Sequence, residues 1–290
     1  MTGWLIYDKK QYEKNKWFAH ELLKNCSAFC KTELIFAEKL VFGTDGNGTF
    51  FEYDEKAIPA PDFAVNRSIF PLLSLALEKS KVRVFNSYET AAFCNDKRKT
   101  YLAVSGCGVP VMKTAFFEKR FFDIESAKSF GFPCVLKSAD GHGGKEVFPV
   151  QNTAELERCL GSFETGEFLL QKLCCGKSDL RVYVLGGKAL GAVLRTPKSG
   201  MFKSNFSLGG KAERFEITEA LFSAVRRVLG CLSFVPDFVG IDFLFDGESF
   251  VFNEIEDVVG TRMLYKTTDV DAAWEFSRYI KSEMESDAEV

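Results

Sequence analysis

The order of strand-like and helix-like stretches changes once along the chain, and this change restricts the fold more than any other feature of the sequence. Over residues 1–95, strand-like stretches such as Trp4–Tyr7 alternate with helix-like stretches such as Gln11–Asn25. Strands that alternate with helices predict a small parallel α/β domain. Within this region, "FGTDGNGTFFEY" carries Asp-Gly and Asn-Gly pairs that predict a turn or hairpin.

From about residue 133 onward, the pattern is that of antiparallel strands. The stretch "PCVLKSADGHGGKEVFPV" predicts a strand, a glycine loop and a second strand, and "LRVYVLGGKALGAVLRT" predicts a hairpin that turns at Gly186–Gly187. The polar, glycine-bearing segment "MFKSNFSLGGKAERFEI" precedes a helix predicted from Thr218 to about Gly230. An acidic hairpin and a last helix over about Val270–Glu283 complete an α/β (α+β) chain.

Composition excludes several classes of protein. The 290 residues carry a net charge of −3, with a pI near 5.7, which argues against general affinity for nucleic acid. No apolar run approaches the roughly 18 residues of a membrane span, and Trp4–Tyr7 is a first strand instead of a signal peptide. The nine cysteines include no C-x-x-C pair, so we expect reduced thiols and a cytoplasmic protein without nucleic-acid or membrane partners.

Three acids lie on the predicted hairpin "FLFDGESFVFNEIEDVVGTR". Asp242 opens its first strand in this interpretation, while Glu254 and Glu256 close the second. Residues two apart on a strand point to the same face, so three carboxylates can converge. One interpretation is an exposed, solvated sheet face. The other is a site for a hard divalent cation, which takes oxygen ligands and screens the repulsion between neighbouring carboxylates.

A glycine loop and a lysine point to phosphate. The loop Asp140–Lys145 contains three glycines in four positions, which let backbone amides approach an anion closely. Alone, such a loop is more often a plain flexible hairpin. Lys137 stands at the end of the apolar strand just before it, and a lysine there would otherwise be a desolvated charge without a partner.

Six segments, in their order along the chain, together resemble the ATP-grasp ligases and, within them, the RimK-like amino-acid ligases. They are "CNDKRKTYLAVSGCGVPVMKT", "PCVLKSADGHGGKEV", "FLLQKL", "DLRVYVLGGKALGAVLR", "FKSNFSLGGKA" and "VGIDFLFDGESFVFNEIE". The resemblance extends from about Pro61 to the C-terminus. It implies an ATP-grasp fold with an N-terminal parallel α/β pre-grasp domain (residues 1–95), a small central lid domain (96–173) and a C-terminal antiparallel-sheet domain with the metal site (174–290).

The resemblance also implies a nucleotide site. ATP phosphates would contact Lys97 and Lys137 under a flexible lid formed by Gly141, His142, Gly143 and Gly144. The hinge that binds adenine would be Gln171, Lys172 and Leu173, and the family's D-x-R pair would be Asp179 and Arg181. Lys172 stands where the family often has an acid.

The same resemblance implies the catalytic and metal residues. Arg195 would neutralise the transferred phosphoryl group, with Lys203 and Asn205 in an "[RK]-S-N" segment near it. Asp242, Glu254 and Glu256 match the magnesium ligands, although the third is usually asparagine. The predicted cofactors are therefore ATP and one or two Mg²⁺ ions, with Mn²⁺ as a substitute.

The implied reaction is ADP-forming carboxylate–amine ligation through an acyl phosphate, with Lys137, Arg195 and Asn205 as catalytic residues. The carboxylate belongs to a small molecule or peptide, and the amine belongs to a compound such as an amino acid. The candidate substrate contacts are Arg67, Ser68, Lys203 and Asn205, and the sequence leaves a homo-oligomer open. Two alternatives stay open, namely an ATP-grasp kinase for small molecules and a degenerate, non-catalytic nucleotide-binding protein, the latter motivated by Lys172 and Glu256.

Overall fold

The computed structural model of the protein describes residues 1–141, 146–163, 166–174, 178–197 and 210–287. The strands of the described ranges are β1 (Thr2–Tyr7), β2 (Lys31–Phe36), β3 (Leu40–Asp45), β4 (Gly48–Tyr53), β5 (Lys56–Ala57), β6 (Phe63–Asn66), β7 (Arg83–Phe85), β8 (Thr114–Glu118), β9 (Cys134–Ser138), β10 (Val147–Val150), β11 (Glu167–Lys172), β12 (Ser178–Leu185), β13 (Lys188–Thr196), β14 (Lys211–Phe215), β15 (Phe238–Phe245) and β16 (Phe250–Glu256). The α-helices are α1 (Lys9–Cys26), α2 (Pro71–Lys79), α3 (Tyr88–Cys94), α4 (Lys97–Val104), α5 (Ile124–Phe130), α6 (Thr153–Leu160), α7 (Glu219–Gly230), α8 (Arg262–Thr267) and α9 (Ala272–Asp287).

The N-terminal region forms a four-stranded parallel sheet in the order β2–β1–β6–β7, which confirms the predicted α/β arrangement. Strand β1 of this sheet is buried on both faces, as is usual for the inner strands of a parallel sheet. Trp4 and Ile6 contribute to one apolar cluster, and Leu5 and Tyr7 to another on the opposite face. The predicted hairpin is also present, because β3 pairs with β4 in a separate antiparallel sheet that β5 completes.

The middle of the chain forms a four-stranded antiparallel sheet in the order β10–β9–β11–β8. Helices α5 and α6 cover one face, where Leu136 and Leu170 are fully buried. Helix α5 ends at Gly131, which adopts a φ of 86° that favours glycine. The opposite face of this sheet carries Lys137, which is also buried.

The C-terminal region forms a five-stranded antiparallel sheet in the order β14–β13–β12–β15–β16. The turn between β12 and β13 lies at Gly186 and Gly187, both at positive φ, which confirms the predicted hairpin. Helices α4 and α7 cover one face, and Val182 and Ile241 point into that core. The opposite face carries the charged residues of the candidate site.

The structure adds elements that the sequence interpretation omitted. Lys211–Phe215, within a segment interpreted only as polar, is the edge strand β14. The short helices α3, α6 and α8 were also not predicted. None of the described helices has the length and apolarity needed to span a membrane. The eight cysteines of the described ranges are free thiols, as expected. The domain boundaries at 95/96 and 173/174 stay predictions.

Candidate active site

One face of the C-terminal sheet gathers the charged residues because the pleat sends alternate side chains to the same side. On β12, Asp179 and Arg181 are two residues apart. Arg195 on β13 lies opposite Asp179, and Asp242 on β15 lies opposite Arg181. All four side chains are buried. The register therefore brings together four residues that the sequence assigned to the site from separate segments.

A β-bulge places the acids of β16 on that face. Asp242 pairs with Glu254, but Phe243 pairs with Phe252, so Asn253 is an extra residue on β16. The bulge lets Phe252 and Ile255 both enter the apolar core, while Glu254 and Glu256 stay on the opposite side. One detail of the sequence interpretation was wrong. Asp242 does not open its strand, because β15 begins four residues earlier at Phe238.

The three acids form a cluster that suits a divalent cation. Asp242, Glu254 and Glu256 each offer a carboxylate oxygen, and these oxygens lie within 4.8 Å of one another. Asp242 is fully buried, whereas the two glutamates are half-buried. Carboxylate oxygens are the ligands that Mg²⁺ and Mn²⁺ prefer, so the donor set fits such an ion.

Two arginines hold Asp242 in the described structure. Arg181 donates from Nε and Nη2 to the two Asp242 oxygens, at 2.7 and 2.6 Å, and its Nη1 lies 2.7 Å from Glu256 Oε2. Arg195 donates from Nη2 to Asp242 Oδ2 at 2.7 Å and also to Asp179. Burial alone would raise the pKa of Asp242, but the two guanidinium groups outweigh it and hold the pKa below its ordinary value.

Asp179 behaves differently although it shares Arg195. Burial raises the pKa of Asp179 to about 7, against the opposing effect of Arg195 and with a further contribution from Asp242. The sheet face therefore contains one ionised carboxylate, Asp242, and a neighbouring carboxyl group, Asp179, whose pKa is close to neutral pH. Such contrasts between adjacent carboxyl groups are common at functional sites.

Two lysines reach the acids from other elements. Lys137 lies on β9 of the middle sheet, and its Nζ donates to Asn253 Oδ1 on β16 at 2.9 Å. Lys97, the first residue of α4, donates to the Gly141 carbonyl and lies 3.8 Å from Glu254 Oε2. Burial lowers the pKa of Lys137 to about 8. Both lysines thus meet the acids where the middle and C-terminal sheets adjoin, and we call this junction the cleft.

The predicted hinge lies on β11 and just beyond it. Gln171 is buried, and its Nε2 donates to Thr114 Oγ1 at 3.0 Å. It shares a sheet face with Leu169, the pairing partner of Lys137, so this part of the hinge faces the same cleft. Lys172 points to the opposite face, where its Nζ donates to the Gly131 carbonyl at 2.9 Å. Leu173 is exposed.

Arg67 and Ser68 follow β6 in the N-terminal sheet. Arg67 is buried, and its Nη2 donates to the Val259 carbonyl just beyond β16 at 2.7 Å. The Ser68 hydroxyl instead donates to Asn66 Oδ1 at 2.6 Å. The structure thus brings Arg67 to the C-terminal region, whereas Ser68 is engaged with its own loop. The remaining predicted residues, His142, Gly143, Gly144, Lys203 and Asn205, lie outside the described ranges.

The sequence interpretation missed two polar residues of the site. Asn253 receives the Lys137 hydrogen bond, and no sequence signal marks the bulge that orients it. Asp257 directly follows the acid cluster and is buried, and Asn95 Nδ2 donates to it at 3.3 Å. Burial raises the pKa of Asp257 to about 7. The run of acids "NEIED" was a usable signal for Asp257.

The fold places the chain in a class, the ATP-grasp proteins. A solved structure of the VanG D-Ala:D-Ser ligase from Enterococcus faecalis superposes with a TM-score of 0.77 over 97% of this chain and 98% of that chain. The sequence identity is 17%, so this likeness shows the fold alone. A D-cycloserine synthetase structure matches equally well, with a TM-score of 0.76 over 98% of this chain and 100% of that chain, at 14% identity.

Sequence comparison places the chain within that class. The family model of the RimK-like ATP-grasp domain matches residues 95–280. N-acetylaspartylglutamate synthase A of Homo sapiens is 32% identical over 236 residues, which are 78% of this chain and 58% of that protein. The glutamate–LysW ligase ArgX of Sulfolobus acidocaldarius is 26% identical over 239 residues, or 78% of this chain and 84% of that protein. The chain belongs to the RimK-like ATP-grasp family.

Proposed function

We propose that the protein joins a substrate carboxylate to an amine through an acyl phosphate, with ATP as the phosphoryl donor and Mg²⁺ as the metal. The observation that carries this proposal is the convergence of Asp242, Glu254 and Glu256 with Arg195 and Lys137 on one cleft. Three carboxylates suit a metal that neutralises phosphate charge, and the cations suit the transferring phosphoryl group. The relatives named as ligases and synthases support the same chemistry.

The roles follow from position and charge. Asp242, Glu254 and Glu256 would hold one or two Mg²⁺ ions, or Mn²⁺, whose charge offsets that of the nucleotide phosphates. Lys97 and Lys137 would contact the phosphates. Gln171, Lys172 and Leu173 would meet adenine through the hinge backbone, with Gly141, His142, Gly143 and Gly144 as the lid.

In the reaction, a substrate carboxylate oxygen forms a bond to the γ-phosphorus of ATP, and ADP leaves. The amine then attacks the acyl carbon, phosphate leaves, and the nitrogen loses a proton to give the amide. Arg195 would balance the negative charge that both steps develop, together with Lys137 and Asn205. This scheme requires no protein nucleophile, so catalysis depends on positioning and charge.

We propose that the substrates are amino acids or short peptides. The named relatives make N-acetylaspartylglutamate or join glutamate to LysW, so glutamate is the first amine to test. Arg67 and Ser68 would contact the carboxylate donor, and Lys203 and Asn205 the amine side. A cytoplasmic location, a homo-oligomer and the absence of nucleic-acid and membrane partners stay predictions from the sequence.

The two departures from the family pattern give no support to a non-catalytic role. Lys172 directs its ammonium group to the Gly131 carbonyl, away from the cleft face that Gln171 shares with Leu169. The extra charge of Glu256 is matched by Arg181 at 2.7 Å. Neither residue therefore blocks the cleft or leaves an uncompensated buried charge.

The test is ADP release from the purified protein with ATP and Mg²⁺ against amino acids and short peptides, singly and in pairs. Release that requires both a carboxylate and an amine supports the ligase. Release with a single substrate and a phosphorylated product would favour the kinase alternative. ATP binding without release for any pair would favour the non-catalytic alternative, and mass spectrometry of the products separates these cases.

A further inference from the structure

Two cysteines that the proposed reaction does not use lie where the ends of two helices meet. Cys107 follows α4 and stands between Gly106 and Gly108, and Cys231 is the residue directly after α7. Both are half-buried free thiols. A small oxidant can reach a half-buried thiol, whereas a fully buried thiol is inert.

The apolar core fixes the backbone of both cysteines. Helices α4 and α7 cover the same face of the C-terminal sheet, where Val104 and Val228 are fully buried in one cluster. The Cys107 backbone N–H donates to the Val104 carbonyl at 3.2 Å. The Cys231 backbone N–H donates to the Val228 carbonyl, also at 3.2 Å. Each cysteine is therefore tied to a core residue at the end of its own helix.

The turn that carries Cys107 lies directly against α7. Arg227 donates from Nη1 to the Gly108 carbonyl at 2.7 Å, and a Cβ on Gly108 would lie 3.1 Å from the same nitrogen. Gly106 and Gly108 both adopt positive φ, of 84° and 79°, which favours glycine. Gly108 directly follows Cys107, and Arg227 is about one helical turn before Cys231. This contact therefore brings the two cysteines together.

The two thiols interact with each other. Burial and a hydrogen bond with Cys107 raise the pKa of the Cys231 thiol above its ordinary value. A hydrogen bond raises the pKa of the group that donates it, so the Cys231 thiol donates and the Cys107 sulfur accepts. Accepting a hydrogen bond stabilises a thiolate, and so does a nearby cation, which Arg227 supplies. Cys107 is therefore the sulfur suited to attack, and Cys231 is the neighbour that can complete a disulfide.

A second pair of neighbouring cysteines is less suited to oxidation. Cys26 is 1% exposed, so an oxidant cannot reach its thiol. The Cys30 thiol donates to the Cys26 carbonyl at 3.4 Å and lies 3.0 Å from Thr32 Oγ1. These contacts hold the Cys30 thiol on polar oxygens. We therefore expect this pair to stay reduced when Cys107 and Cys231 react.

We propose that Cys107 and Cys231 form a redox-active dithiol, which a low-molecular-weight disulfide such as glutathione disulfide oxidises to an intramolecular disulfide. The Cys107 thiolate attacks one sulfur of the oxidant, the S–S bond of the oxidant breaks, and one small thiol leaves. The Cys231 thiol then loses its proton to water, and its sulfur attacks the Cys107 sulfur of the mixed disulfide. The second small thiol leaves. The protein loses two electrons and two protons, which the oxidant takes up as two thiols.

The disulfide would join the ends of α4 and α7 on the sheet face opposite the acid cluster. It would close a loop of roughly 120 residues, and a cross-link across so long a loop restricts the unfolded chain strongly. We expect the oxidised protein to melt roughly 5–10 °C above the reduced protein. This inference goes beyond the proposed ligase function and does not depend on it.

The experiment treats the full chain with glutathione disulfide, blocks the remaining thiols by alkylation, and measures the intact mass and the linked peptides. Wild type should lose about 2 Da, with the Cys107 and Cys231 peptides joined, and dithiothreitol should reverse both changes. Cys231→Ser should stop at the mixed disulfide and gain one glutathione on Cys107. Cys107→Ser should form no disulfide with Cys231. Cys159→Ser is the matched control, because Cys159 is half-buried as well but lies on α6 of the middle region, so this variant should behave as wild type.

Three results would overturn the proposal. The first is wild type that gains glutathione at Cys107 and forms no internal disulfide. The second is a disulfide between other cysteines, such as Cys26 and Cys30, in place of the proposed one. The third is a Cys107–Cys231 disulfide that leaves the melting temperature unchanged, which would show that it does not join the two helices across the core.

Discussion

Substitution of Lys137 tests its proposed role in phosphate binding, because loss of this lysine should raise stability and lower turnover. Its side chain is buried, and Nζ donates to Asn253 Oδ1 at 2.9 Å. Burial lowers its pKa from 10.5 to about 8, which corresponds to about 3 kcal/mol of destabilisation at pH 7. Lys137→Met keeps the chain length and removes the charge. After loss of the Asn253 hydrogen bond, at about 1–2 kcal/mol, we expect a net gain of about 1–2 kcal/mol in the free energy of unfolding.

The pH dependence fixes the sign of this effect. Below pH 8, Lys137 is protonated in both the folded and unfolded states, so its cost is fully present. Between pH 8 and 10.5 the unfolded chain binds more protons than the folded chain, so wild-type stability rises with pH. Urea unfolding of the nucleotide-free protein at pH 7 and pH 9 should therefore show the advantage of Lys137→Met shrinking at the higher pH.

Turnover should fall while stability rises. Removing a positive charge that faces the transferring phosphoryl group should lower kcat/KM for ADP release by roughly 100- to 1,000-fold. Lys119→Met is the control. Lys119 directly follows β8 of the same sheet, but its Nζ donates to the Leu160 carbonyl at 3.2 Å, away from the acid cluster. Normal turnover in Lys137→Met, or a loss of stability at pH 7, would refute the reasoning.

Three further substitutions probe the metal cluster and the sheet beneath it. Glu254→Gln should raise the Mg²⁺ concentration needed for half-maximal ADP release by about 10-fold or more, because the substitution removes a charged metal ligand. An unchanged Mg²⁺ titration would exclude Glu254 as a ligand. Glu256→Asn should retain activity without lowering the free energy of unfolding, because burial outweighs the 2.7 Å contact with Arg181 and raises the pKa of Glu256 above its ordinary value; complete inactivity would give the glutamate a role of its own. Gly240→Ala should destabilise the fold by about 1–3 kcal/mol, because the added Cβ would lie 2.6 Å from Val259 Cγ2. A melting temperature equal to that of wild type would contradict this packing.

The sequence predicted the fold where local chemistry determines structure. Alternating apolar residues and the Gly186–Gly187 turn specify the β12–β13 hairpin without help from the rest of the chain. Strand β14 was missed because "KAERF" is mostly polar and becomes a strand only through pairing with β13. Helices α3 and α6, of 7 and 8 residues, are too short for a clear period of apolar residues.

The acid cluster was predicted because residues two apart on a strand share a face, but its actual geometry depends on tertiary structure. Glu254 and Glu256 do share a face for this reason. The alignment of Glu254 with Asp242, in contrast, depends on the bulge at Asn253. The Lys137 contact with Asn253 spans 116 residues and the Arg67 contact with Val259 spans 192. No local pattern encodes contacts at such separations, so neither contact was predicted from the sequence.

Charge balance on the C-terminal sheet leads to a last prediction about Arg195. Its guanidinium group donates to Asp242 at 2.7 Å and so competes with any metal for that carboxylate. A nucleotide bound alone would add negative charge to the cleft, and a metal ion bound alone would add positive charge. Binding of the nucleotide should therefore favour binding of the metal, and the reverse. Arg195→Met removes the competitor, and we expect it to tighten Mn²⁺ binding to the nucleotide-free protein, measured by electron paramagnetic resonance, while it weakens nucleotide binding. Weaker Mn²⁺ binding in this variant would show that Arg195 supports the metal site instead of competing with it.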